Sequence, residues 1–392
     1  MNCPRILLLC SDAGFGHRSA AQAIAAAIED NYAGQCQVEI VNPLNARRAP
    51  GILRRTESEY DDLVRNWPEL YRLGYQANEM LVTSTLLESL LTVLLYEAMR
   101  LLLNQYDPHV IITTYPFYQP PLWAYFSLKN RQIPTITVIT DLADVHRLWF
   151  HRLADYCVAP TPAVAELAVS YGIEPSKIKV WGIPIHPQFA HKPADRHALR
   201  QQLGWQPDRM TVLAVGSKRV SKLPGFLRPL NHSGLPIQLA VVAGGDEEMF
   251  QELRTTKWHL PTHVYNFVDN MAELMHAADG VICKAGGLTV TESLACGLPM
   301  LLIDAIPGQE TGNAEYAMRV GAADLVRKPI LLLETVFHWL MDDAALWQQR
   351  AANARRVGQP HAAYHVADLA YELASQGPYR RRNFRVSRAA PG

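Results

Sequence analysis

Cys283-Lys284-Ala285-Gly286-Gly287-Leu288-Thr289-Val290-Thr291-Glu292 reads as the end of a buried strand, a glycine pair and the first turns of a helix. A helix beginning at Leu288 or Thr289 presents free backbone N–H groups at its positive end. With Gly286 and Gly287 leaving room for a ligand and the Thr289 hydroxyl alongside, the turn suits a diphosphate and requires no metal. Glu292 falls one turn into that helix, where a carboxylate can accept from a ribose diol. The following loop, Pro307-Gly308-Gln309-Glu310-Thr311-Gly312-Asn313, places Gln309 and Glu310 where sugar hydroxyls would meet them. Taken singly, each of these residues is more simply a cap or a surface polar group; their order and spacing make the stretch specific.

On either side of this stretch, short apolar runs alternate with longer helical patterns. In the first half the runs are Ile6–Cys10, Val38–Val41, Val110–Thr113, Thr135–Thr140, Tyr156–Ala159 and Lys179–Trp181. After Gly182-Ile183-Pro184-Ile185-His186-Pro187 they are Thr211–Val215, Ile237–Val242, His263–Asn266, Gly280–Cys283, Met300–Ile303 and Ala323–Val326. This alternation predicts an α/β chain of two doubly wound, Rossmann-like domains with parallel sheets, facing each other across a cleft formed at the carboxyl ends of the strands. The expected division is residues 1–188, 189–360, a terminal helix over 361–376 that crosses back to the first domain, and a basic tail over 377–392.

Two stretches of the first half face that cleft. Ser11-Asp12-Ala13-Gly14-Phe15-Gly16-His17-Arg18-Ser19 joins the first strand to an Ala-rich helix predicted to start near Ala20. The His17 imidazole titrates near neutrality and suits a base that takes a proton from an alcohol; the plainer reading is a histidine satisfying loop or helix-start carbonyls. Thr140-Asp141-Leu142, followed by His146, Trp149, Phe150 and His151, ends a strand in carboxylates, imidazoles and an indole that can orient hydroxyls and exclude water. The alternatives are a turn-capping Asp141 and an ordinary core Trp149.

The chain has 392 residues, 49% apolar, enough for two cores. Lys+Arg and Asp+Glu both total 37, which leaves no electrostatic footprint for nucleic acid. The six cysteines form no CxxC pair and no metal-ligand spacing, and read as reduced thiols of a cytoplasmic protein. The first apolar run is too short for a signal peptide, and Met80–Leu103 is interrupted by Glu88, Glu97 and Arg100, so neither a leader nor a membrane span is expected. Arg47, Arg48, Arg54 and Arg55 around Pro50-Gly51-Ile52-Leu53, then Trp67, Leu70 and Tyr71, suit docking on an anionic membrane surface, against the alternative of a solvated loop.

These segments, with Asn66-Trp67-Pro68-Glu69-Leu70-Tyr71, Gly182-Ile183-Pro184-Ile185 and the run from Lys284 through Asn313, resemble a two-domain (GT-B) glycosyltransferase family. That family contains the monogalactosyldiacylglycerol synthases, the bacterial diacylglycerol glucosyltransferases and, more distantly, the N-acetylglucosaminyltransferase of peptidoglycan assembly. Ile306-Pro307-Gly308-Gln309-Glu310-Thr311-Gly312-Asn313 is especially similar to the diacylglycerol-using members. The resemblance implies an inverting transfer of a hexose, galactose or glucose, from a UDP-sugar to diacylglycerol, with no cofactor. The protein would be peripheral on the cytoplasmic face of a membrane. His17 would be the base and Asp141 the runner-up. The donor would lie against Phe267 and Val268 (uracil), Gly286, Gly287, Leu288 and Thr289 (diphosphate), Glu292 (ribose), Gln309 and Glu310 (hexose), and Asn313. The acceptor would lie against Gly16, Trp67, Tyr71, His146 and Trp149.

Three departures stand out. The family's triple glycine is Gly14-Phe15-Gly16; its second glycine-rich loop is Gly216-Ser217-Lys218-Arg219-Val220-Ser221; and His186 stands where relatives carry arginine. The rival readings are a UDP-sugar transferase with another acceptor, a UDP-sugar epimerase, or a UDP-sugar sensor or membrane scaffold.

Overall fold

The computed structural model describes residues 3–12, 15–45, 81–129, 132–143, 145–305 and 310–379. Trp67, Tyr71, Gln309, the arginines at 47, 48, 54 and 55, and the tail from Arg380 onward lie outside the described residues.

The first half forms a six-stranded sheet from β1 (Arg5–Leu9), β2 (Gln37–Val41), β3 (Val110–Thr113), β4 (Thr135–Val138), β5 (Tyr156–Ala159) and β6 (Ile178–Val180), ordered β2-β1-β3-β4-β5-β6. The second forms another from β7 (Met210–Val215), β8 (Ile237–Val242), β9 (Thr262–Tyr265), β10 (Gly280–Lys284), β11 (Met300–Asp304) and β12 (Ala323–Leu325), ordered β12-β11-β10-β7-β8-β9. All pairings between these strands are parallel. Each apolar run read from the sequence coincides with one of these strands. The reason is burial: β3, β4 and β8 are buried at every position, because helices cover both faces.

Alternate residues of β1 point to opposite faces and define two cores. Ile6 and Leu8 pack with Ala21, Ile24 and Ile28 of α1 (Phe15–Tyr32). Leu7 and Leu9 pack with Leu95 and Met99 of α2 (Leu81–Tyr106) and Trp123 of α3 (Gln119–Lys129). The helix predicted to begin near Ala20 begins instead at Phe15, so Gly16, His17 and Arg18 occupy its first turn. Helix α2 turns Leu91, Leu95, Met99 and Leu103 inward and leaves Leu90, Val93 and Leu101 exposed. Among the described residues no helix is long and apolar enough to cross a membrane. After α4 (Pro162–Ser170) and β6, the chain passes through Gly182, whose φ of +92° favours glycine, into α5 (Arg196–Gln202).

In the second half, α6 (Leu223–Asn231), α7 (Glu247–Thr255) and α11 (Pro329–Val357, interrupted at Met341–Ala344) cover one face of the sheet. The other face is covered by α8 (Met271–Ala277), α9 (Gly287–Cys296) and α10 (Thr311–Arg319). Helix α12 (Ala362–Gln376) then returns to the first sheet. Its Ala363, Val366, Ala367 and Ala370 are fully buried in the core that holds Ile6 and Leu8, and Tyr371 stacks on Tyr32 with ring centroids 4.0 Å apart.

Strand order reverses between β1 and β3 in the first sheet and between β7 and β10 in the second. Ligands of doubly wound sheets bind at such reversals, beyond the carboxyl ends of the strands.

Candidate active site

At the reversal in the first sheet, His17 stands in the first turn of α1, over the ends of β3 and β4. Its Nδ1 lies 3.0 Å from Thr140 Oγ1, and its carbonyl accepts from the Thr114 hydroxyl at 2.8 Å. The Tyr115 ring meets the imidazole edge-on at 5.0 Å, and Trp149 lies 6.0 Å away. Loss of hydration pulls the His17 pKa down to about 4, so the ring is neutral at neutral pH. Asp141, next to Thr140, goes the other way: burial raises its carboxyl to about 7, the Trp149 indole opposes that by donating to it, and the Glu310 charge adds to it. Trp149 is 2% exposed, and Gln119 Nε2 donates to its carbonyl at 2.6 Å. Asp12 braces the same region, paired with Arg18 and accepting from Asn42 Nδ2 at 2.8 Å and Asn45 Nδ2 at 3.1 Å. Among the described residues a Cβ at Gly16 would meet nothing within 4 Å.

At the reversal in the second sheet, β10 ends at Lys284 and α9 starts at Gly287, with Gly286 as an N-cap that offers no side chain. The first-turn N–H groups of Gly287, Leu288 and Thr289 are thereby left for a ligand at the positive end of the helix. Lys284, beside them, is ion-paired with Glu310, which is 6% exposed. Glu292 sits on α9 with its carboxyl raised to about 8 by burial, and it makes no hydrogen bond among the described residues.

The two halves meet here. A Cβ at Gly287 would lie 3.1 Å from the Thr140 carbonyl oxygen and 3.4 Å from Asn313 Nδ2. Asn313 is 2% exposed; its Oδ1 accepts from the Leu142 N–H at 3.0 Å, and its Nδ2 donates to the Ala285 carbonyl at 3.3 Å. One amide therefore joins the loop carrying Asp141 to the turn that opens α9.

His17, Asp141, Trp149, Gly286, Gly287, Glu310 and Asn313 thus come together. Phe267 and Val268 follow β9, where Phe267 is 76% exposed beside Gly245 and Val268 packs on the core that also holds Ala285. His146 caps the short helical turn Arg147–Trp149, its Nδ1 accepting from the Leu148 N–H at 3.2 Å. His186 caps the turn at Pro187–Ala190 in the same way. Gly216 is the one glycine of its loop that close packing demands, since a Cβ there would meet Met249 Sδ at 2.8 Å. Sequence reading alone passes over Thr114, Tyr115 and Lys284; the signal for the first two is that Thr114-Tyr115 follows the strand beside which the order reverses. A cavity of about 420 Å³, lined by Lys222, Asp304, Thr311, Glu315 and Arg327 among others, opens at the ends of β11 and β12 and includes none of the expected residues. Among the described residues no group of three metal-ligating side chains forms.

The family model of monogalactosyldiacylglycerol synthases matches residues 17–185, and that of the glycosyltransferase family 28 C-terminal domain matches residues 216–368. The probable chloroplastic monogalactosyldiacylglycerol synthase of Glycine max is 32% identical over 385 residues, covering 96% of this chain and 72% of that protein. The chain belongs to the monogalactosyldiacylglycerol synthase family. The Spinacia oleracea enzyme of that name is 31% identical, covering 95% of this chain and 73% of its own length. Among solved structures, MurG of Acinetobacter baumannii superposes with a TM-score of 0.59 at 21% identity, over 94% of this chain and 99% of that one. A UDP-GlcNAc 2-epimerase from Neisseria meningitidis, solved with UDP-GlcNAc, gives 0.57 at 13% identity, over 95% and 100%. These likenesses establish the GT-B fold that the family member shares. An epimerase among them shows that the fold by itself does not choose the reaction.

Proposed function

We propose that this chain transfers a hexose, galactose ahead of glucose, from a UDP-sugar to the hydroxyl of diacylglycerol, with inversion at the sugar carbon. The observation that carries the reading is the closure of the cleft: in a member of this family, His17 and Asp141 stand on one wall and the uncapped turn at Gly287 on the other, joined by Asn313.

The chemistry is a single in-line displacement. His17 Nε2 takes the proton of the acceptor hydroxyl as its oxygen attacks the anomeric carbon; the bond from that carbon to the diphosphate breaks, and UDP leaves with the electron pair. The N–H groups of Gly287, Leu288 and Thr289 hold the departing charge, a role for which Lys284 is less suited because it is paired with Glu310. Glu292 binds the ribose, Phe267 and Val268 the uracil, and Gln309 and Glu310 the hexose. Gly16, His146, Trp149, Trp67 and Tyr71 border the acceptor. His17 is preferred to Asp141 as base because Thr140 engages its Nδ1 and so orients the ring toward the cleft. The setting is peripheral, on the cytoplasmic face of an anionic membrane.

The test is incubation of the purified chain with diacylglycerol in anionic vesicles and, separately, UDP-galactose and UDP-glucose, with lipid products resolved by mass and sugar identity. A galactosyl-diacylglycerol product is expected. Donor binding with no lipid product from either sugar would overturn the reading in favour of another acceptor or a sensor. His17→Ala should bind UDP normally and lose turnover.

A further inference from the structure

An imidazole acts as a base only through a nitrogen that carries a lone pair, and it carries one on Nε2 only when the proton sits on Nδ1. Some neighbour must hold it there. Familiar sites use a carboxylate for this, but among the described residues no carboxylate is hydrogen-bonded to the His17 ring. What faces Nδ1 is the Thr140 hydroxyl, at 3.0 Å, on a residue only 7% exposed. The rest of the histidine is held by its neighbours, its carbonyl by the Thr114 hydroxyl and its ring by Tyr115, Trp149 and a contact with the Thr114 backbone. The choice of tautomer is what remains open.

Resting on the assignment of His17 as the base, we propose that Thr140 is a positioning residue whose hydroxyl accepts the Nδ1 proton of His17, leaving the Nε2 lone pair for the acceptor hydroxyl. The position of Thr140 adds a second consequence. Its carbonyl lies against Gly287, and two residues on, the Leu142 N–H is held by Asn313, which also holds Ala285. The strand end that orients the base is therefore held by the turn that receives the diphosphate, so the base is set when the donor half is docked.

Thr140→Val keeps the side-chain shape and removes the hydroxyl; Thr140→Ser keeps the hydroxyl. In the full chain, with diacylglycerol vesicles and UDP-galactose, Thr140→Val should lower kcat about 10- to 100-fold, the size expected for losing one orienting hydrogen bond, with KM for both substrates within about 2-fold. Thr140→Ser should recover to within about 3-fold of the parent, since a hydroxyl remains. Histidine ¹⁵N spectra, with the His17 signal identified by its loss in His17→Gln, should show the proton on Nδ1 in the parent and in Thr140→Ser, and a shift toward Nε2 in Thr140→Val. A parent protonated on Nε2 overturns the proposal, as does a Thr140→Val protein with parental kcat, or a folded Thr140→Ser protein that fails to recover. Normal turnover by His17→Gln would instead remove the base assignment, while the spectra would still report whether Thr140 sets the tautomer.

Discussion

Asn313→Ala isolates the amide on which the closed cleft depends. That amide is 2% exposed and satisfies one backbone group in each half, the Leu142 N–H at 3.0 Å and the Ala285 carbonyl at 3.3 Å. Removing it leaves a buried donor and a buried acceptor unpaired, each costing ~1–3 kcal/mol, less whatever a water entering the gap restores. A net loss of roughly 2–3 kcal/mol lowers the thermal midpoint by about 4–12 °C, at about 2–4 °C per kcal/mol for units of this size. Scanning calorimetry measures it, with UDP affinity taken in parallel. Asn313→Asp sharpens the test: it keeps an acceptor for Leu142 but turns an anionic oxygen toward the Ala285 carbonyl. Its carboxyl is then disfavoured when charged, so its deficit should shrink as pH falls and the protonated oxygen can donate to that carbonyl. A midpoint for Asn313→Ala within ~1 °C of the parent would refute the assignment of this amide as the joint between the halves.

Other outcomes follow from the same geometry. Glu292, whose carboxyl burial raises to about 8, must ionise if both its oxygens are to accept from a ribose diol as proposed. UDP should therefore bind more tightly as pH rises toward 8 and beyond, releasing a proton that calorimetry in buffers of different ionisation heat would count; Glu292→Gln should bind weakly with no such dependence. In the free protein the same raised pKa makes the Glu292 contribution to stability fall as pH rises from the ordinary carboxylate value of 4.5 to about 8, and Glu292→Gln should flatten that part of the urea-midpoint profile. Gly244 has φ of +66°, and a Cβ there would collide with the Gly216 carbonyl oxygen, so Gly244→Ala should cost at least ~1–2 kcal/mol in urea unfolding. A chain ending at Gly358 loses α12 and uncovers the face of the first sheet built on Ile6 and Leu8; it should bind a hydrophobic dye or precipitate where the full chain does neither.

The sheets are legible in the sequence because strands covered on both sides show up as unbroken apolar runs, as in Val110-Ile111-Ile112-Thr113. The start of α1 is not. Gly14-Phe15-Gly16 reads as a turn, and Gly16-His17-Arg18-Ser19 carries no apolar period, so the helix announces itself only from Ala20 although it begins at Phe15. The glycine pair at Gly286-Gly287 is legible because an uncapped helix start needs those residues beside it. Thr114 and Tyr115 are not, since threonine and tyrosine at strand ends are what β-propensity supplies anyway, and Thr140 is legible only as part of the strand end that carries Asp141. Their meeting around His17 comes from the adjacency of β1, β3 and β4, a property of strand order that no local pattern carries.

Asn313 shows where motif reading and structure part. In sequence it closes a run of polar residues after Gln309-Glu310 and reads as one more ligand of the donor; in the fold both ends of its amide are taken by backbone, one from each half. The consequence reaches beyond this residue. A substitution in such a motif can abolish transfer without touching the donor, by letting the wall with Thr140 and Asp141 move away from the wall with Gly287. Loss of activity alone then says nothing about what a motif residue touches. If Glu292 binds the ribose as proposed, removing its carboxylate should weaken UDP affinity, whereas breaking the joint at Asn313 should lower thermal stability and kcat, because the uncapped N–H groups proposed to hold the diphosphate belong to α9 and stay intact when the halves part.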